Sequence, residues 1–157
     1  MGRALSTVEG RERRRSISER RFEDSVMKAK YKQQWLAALR SGEFLQCREV
    51  MRLVDKGGQE RFCVLGVLAE LVRRECPAKF KWTRFGTDAA GNTRYDLRPK
   101  GGRYGKRWWR AIEKKLGVQL FGDTMIDYLG EAHTISELND DFGVEFDEAA
   151  DLIEEQL

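Results

Sequence analysis

Apolar residues recur at helical spacing through residues 24–40. Phe22 and Val26 lead into Tyr31, Trp35, Leu36 and Leu39, and Ser41-Gly42 supplies the stop. Phe44, Cys47, Val50, Met51 and Val54 repeat the interval, which predicts a second helix over residues 43–55, ended by Gly57-Gly58. Residues 61–65 read as a short strand or extended lead into an apolar helix over residues 65–74, which Pro77 closes because proline disfavours a helical residue before it. The period then changes. Residues 79–85 and 93–98 partly alternate basic with aromatic or apolar positions. Between them lies a stretch rich in Gly, Asp and Asn, which predicts a β-hairpin with a loop of five to seven residues. A basic, Gly-rich loop over residues 99–105 precedes a helix over residues 106–116 that Gly117 ends. Further on, the pattern predicts a short helix over residues 122–129 stopped by Gly130 and a capping box at Thr134-Ile135-Ser136-Glu137. A last helix over residues 147–156 turns Phe146, Ala149, Ala150, Leu152 and Ile153 inward. Residues 1–24 hold few core-formers, with Ser6-Thr7-Val8-Glu9 and Ser16-Ile17-Ser18-Glu19 as candidate helix starts; this arm is either a helix that folds on a partner or a disordered tail. The sum is a mainly α (α+β) protein. It has an Arg-rich arm over residues 1–24 and one globular domain over residues 25–157, the latter with a short β-hairpin and an acidic C-terminal helix.

Composition changes this picture through charge. All 29 Lys and Arg lie at or before Lys115, together with 14 of the 26 acids, so residues 1–115 carry +15 while residues 116–157, with 12 acids and no Lys or Arg, carry −12. The net +3 conceals two opposed fields, a pattern that speaks of partners rather than of fold. Three widely spaced cysteines (Cys47, Cys63, Cys76), no CxxC pair and a single histidine, His133, argue against a zinc site and read as reduced thiols of a cytosolic protein. No apolar run is long enough for a membrane span. The Arg-rich start lacks a signal peptide's apolar centre, and its acids count against a mitochondrial leader.

Three blocks carry a resemblance. Trp35-Leu36-Ala37-Ala38-Leu39-Arg40-Ser41-Gly42-Glu43-Phe44-Leu45-Gln46, then Phe62 to Leu71 around Leu65-Gly66-Val67-Leu68, then Leu138-Asn139-Asp140-Asp141 with Phe146 to Leu157 resemble segments of a family of small proteins encoded by tailed bacteriophages. The resemblance implies a phage gene product and carries no activity or catalytic residue. Val64 and Ala69 stand where that family commonly has cysteines, so a metal role for those cysteines fails here. The arm and residues 79–115 lie outside the three blocks.

The segment outside the blocks is the candidate site. Lys79, Lys81, Arg84, Arg94, Arg103, Lys106, Arg107 and Arg110 alternate with aromatics that include Trp82 and Tyr104, so cations could meet phosphates while flat rings stack on unpaired bases. Arg13, Arg14 and Arg15 of the arm could follow the same backbone. The plainer readings are a patch for an acidic protein, or aromatics in the core with cations as a solvated rim. Gly101-Gly102-Arg103-Tyr104-Gly105-Lys106 is one residue short of a phosphate loop, and Arg107 replaces the Ser/Thr that would hold Mg²⁺. Asp140, Asp141, Glu145 and Asp147 invite a metal reading, but Gly143 sits at the wrong offset for an EF-hand. His133 has no nucleophile beside it, so the reading is non-catalytic, with no cofactor and no metal. The expected function is binding of nucleic acid or another phosphate-bearing polyanion in the host cytoplasm. One alternative is inhibition of a host or defence protein, with the acidic tail as a nucleic-acid mimic; another is a minor virion or assembly role. No membrane partner is expected, and opposite charged faces permit self-association.

Overall fold

The computed structural model describes residues 27–101, 109–118 and 124–157. Helix α1 (Ala29–Arg40) is followed by strands β1 (Leu45–Gln46), β2 (Arg52–Val54) and β3 (Glu60–Phe62), helix α2 (Val64–Glu75), the hairpin β4 (Phe80–Thr87) and β5 (Thr93–Pro99), and helix α3 (Arg110–Leu116). A second hairpin, β6 (Met125–Tyr128) and β7 (Glu131–Thr134), then leads into α4 (Ile135–Asp140) and α5 (Phe146–Gln156). The main sheet has five strands in the order β1-β3-β2-β5-β4, antiparallel except for β1 beside β3; β6 and β7 form a separate pair.

This corrects the mainly α expectation: with 40% helix and 26% strand among the described residues, in two sheets, the class is α+β. Two segments account for the difference. Residues 43–55 do not form a helix; Phe44, Cys47 and Met51 are buried from a chain that zigzags through β1 and β2, and Glu49 adopts φ +65 between them. Apolar residues three and four apart over so short a run suit a helix and a folded loop equally, and tertiary bonds decide. Residues 122–129 likewise do not form a helix over their described part. Met125 and Asp127 are exposed and Ile126 is buried, a period of two, and Leu129-Gly130 (φ +55 and +85) is the two-residue turn of a hairpin.

The core is one cluster. α2 buries Val64, Leu65, Gly66, Val67, Leu68, Ala69 and Val72, so nearly its whole circumference is covered, and it contacts the sheet, α1 and α4. α1 contributes Tyr31, Trp35, Leu36 and Leu39, the stripe expected from the sequence, and the sheet contributes Phe62, Phe80 and Leu97. α5 packs on α1 through Ala149, Ala150 and Ile153.

The three sequence blocks meet at a few buried polar contacts. Trp35 Nε1 donates to the Val64 carbonyl (2.9 Å), tying α1 to the start of α2. Asn139, 1% exposed, accepts from Gln46 Nε2 (2.9 Å) and from Val64 N (3.3 Å), and donates to the Cys47 carbonyl (3.1 Å) and Asp140 Oδ1 (2.6 Å). Asp140 in turn accepts from Glu49 N (2.8 Å), holding the left-handed residue of the loop. Gly66 is where the loop before β2 crosses α2: a Cβ there would lie 1.8 Å from the Met51 carbonyl oxygen, so only glycine fits. The blocks are therefore scaffold.

Candidate nucleic-acid interface

Strand register assigns each hairpin residue to a face. Phe80, Trp82 and Arg84 of β4 stand opposite Pro99, Leu97 and Tyr95 of β5, and Tyr95 pairs on to Arg52 and Phe62. This is the face that α2 covers, since Phe80, Leu97 and Phe62 are all buried. The intervening positions form the opposite face: Lys81 beside Arg98, Thr83 beside Asp96, Gly86 beside Arg94, and then Leu53, Arg61 and Leu45 in a row across β2, β3 and β1. Among these paired outward positions four are cationic (Lys81, Arg94, Arg98, Arg61) and one is a carboxylate, Asp96. Burial pushes the Asp96 carboxyl up from its ordinary value, against the pull of Arg98 at 3.5 Å. Lys81, Arg61 and Leu45 are exposed, and Arg94 and Leu53 are half-buried. Between Arg84 and Gly86 the pairing slips, and the extra residue, Phe85, is 47% exposed at the edge strand.

Trp82 has another role than the stacking expected of it. It lies on the α2 face, where its Nε1 donates to Glu70 Oε2 (2.8 Å). Glu70, 6% exposed, also accepts two bonds from Arg73 (2.7 Å each) and one from Arg74 (2.9 Å). Burial by itself would raise the Glu70 carboxyl; the bonds from Arg73, Trp82 and Arg74 outweigh it and hold the group at about 2. Beside it the Arg52 guanidinium lies 5.5 Å from the Trp82 ring and 4.8 Å from Tyr95, and pairs with Glu60. This polar seam fixes α2 on the sheet.

The remaining predicted residues divide in three. Lys81 and Arg94 share the outer face. Arg84 is exposed on the α2 side and donates to Thr87 Oγ1 (2.8 Å), Lys79 is exposed in the turn before β4, and Arg110 is exposed at the start of α3, so these three are not gathered with them. Arg103, Tyr104, Lys106, Arg107, Arg13, Arg14 and Arg15 lie outside the described residues. Two further cations share the face: Arg98, which belongs to the basic segment over residues 79–115, and Arg61, which lies outside it. Arg98 was legible as the next outward residue after Arg94 and Asp96 on β5; Arg61 was not, because only strand order brings β3 alongside β2.

Residues 27–157 match the family described as a domain of unknown function (DUF8296). The chain belongs to that family. Neither the curated proteins nor the solved structures contain a match to it. The family's domain spans β4 and β5 as well as the Trp35, Gly66 and Asn139 contacts, so the cationic hairpin lies within it, and residues 1–26 fall before it. No helix among the described residues is long and apolar enough to cross a membrane. Among the described residues, too, no three His, Cys, Asp or Glu side chains are placed together to hold a metal ion.

The acidic half is partly engaged within the fold. Arg40 of α1 pairs with Asp151 and Glu154 of α5 (2.6 Å each), and Lys32 Nζ donates to the Glu154 carbonyl (3.0 Å). Glu137 closes the capping box with Thr134, and Asp140 holds the Glu49 loop. These carboxylates serve the packing of α5 and α4.

Proposed function

We propose that this chain is a non-catalytic accessory protein, of the phage kind its sequence blocks resemble, which binds nucleic acid or a similar phosphate-bearing polyanion in the host cytoplasm. The observation that supports the reading is the sheet face opposite the one α2 covers, where Lys81 and Arg61 are exposed and Arg94 is half-buried. Clustered cations on a rigid sheet release counterions when phosphates replace them, so affinity should fall steeply with salt. The inhibitor alternative gains less support, because Asp151 and Glu154 of the acidic tail already face Arg40.

Titration of a labelled oligonucleotide against the full chain over a salt series tests the reading. Replacing Arg61 and Arg94 together with Gln should weaken binding about tenfold or more and lower the salt slope by about 0.7 for each phosphate that is no longer neutralised. Binding weaker than about 100 μM at low salt, or binding unchanged by the double substitution, would refute it.

A further inference from the structure

Resting on that reading, we infer that the outer sheet face takes single-stranded nucleic acid and rejects duplex. A basic hairpin by itself could enter a major groove, which admits a two-stranded ribbon about 12 Å wide. The β4–β5 hairpin is not such a ribbon at its tip. Thr93, Arg94 and Tyr95 pair with β2, which pairs with β3, which pairs with β1. At the level of Arg94 the sheet is therefore five strands across, about 19 Å at about 4.8 Å per strand, and too broad to insert.

What the breadth offers instead is a platform. Across it the row reads Arg94, Leu53, Arg61, Leu45, cation and apolar residue in turn, with exposed Phe85 in the bulge next to the start of the row. The two cations are two strands apart, about 10 Å. A single strand can lay its phosphates on Arg94 and Arg61 and its base faces on the apolar residues beside them. A duplex keeps those faces in its own stack and can offer only phosphates. The sheet face thus has one class of contact for a duplex and two for a single strand.

The test uses the full chain with a homopyrimidine strand, as DNA and as RNA, each alone and annealed to its complement, and with inorganic polyphosphate, all compared over one salt series. The expected result is single-strand binding about tenfold tighter than duplex binding, weakened roughly fivefold or more by Phe85→Ala with the salt slope unchanged. Leu45→Ser, also at an exposed position, should act in the same direction. Duplex bound as tightly as single strand, or inorganic polyphosphate bound as tightly and Phe85→Ala without effect, would overturn the inference while leaving polyanion binding in place. Binding of none of these ligands would overturn the underlying reading itself.

Discussion

Glu70 is the residue at which burial and charge oppose each other most directly. Its carboxyl is held at about 2 against an ordinary 4.5, so the folded state binds a proton less readily than the unfolded chain. The stability this contributes is complete above about pH 4.5 and is lost as pH falls from there through 2. The shift corresponds to about 3 kcal/mol, and Glu70→Gln should remove that part of the acid dependence of unfolding measured by denaturant titration. Gly66 makes a steric prediction of the opposite kind. In an ordinary helix Gly→Ala stabilises; here the new methyl meets the Met51 carbonyl at 1.8 Å, so Gly66→Ala should cost about 3 kcal/mol in the same assay. Burial also pushes the Cys47 and Cys63 thiols up to about 12, so neither should react with a thiol reagent near pH 8 until the protein unfolds.

At the scale of elements, the sequence was most readable where one period persists. α1, α2 and α5 follow from their apolar spacing, and the β4–β5 hairpin from alternation around a Gly- and Asn-rich turn. Residues 43–55 were opaque because what shapes them is remote in sequence: Asn139, some ninety positions on, bonds the Cys47 carbonyl and the Gln46 amide, and Gly66 admits the Met51 carbonyl. Asn139→Ala should therefore loosen β1, the start of α2 and α4 together. The loss is about 3 kcal/mol, since buried partners are left unsatisfied, and hydrogen exchange should show it in all three elements. The β6–β7 hairpin was hidden by its turn. Leu129 is 84% exposed at φ +55, where Asn is the usual choice, so Leu129→Asn should raise stability by about 1 kcal/mol in thermal unfolding.

For the whole molecule, the charge split at Lys115 resolves into three uses. Part of the positive charge is structural: Arg40 pairs with α5, Arg73 and Arg74 with Glu70, and Lys115 with Glu75. Part of the negative charge is structural in the same pairs and caps. A third part collects on the outer sheet face, where two of the expected site residues, Lys81 and Arg94, are joined by Arg61 and Arg98. Charge counting along the chain could reveal the asymmetry but not this face, because strand order and register are tertiary facts. The candidate face was thus half legible, in residue type and segment, while Trp82, expected to stack on a base, lies on the α2 side and donates to Glu70. The most direct measurement is amide chemical-shift mapping of the full chain during addition of a single-stranded oligonucleotide. Binding on the outer face predicts perturbations at Arg61, Lys81, Thr83, Phe85, Arg94, Asp96 and Arg98 with α5 unmoved; perturbations confined to residues 131–157, or none at saturating ligand, would contradict it.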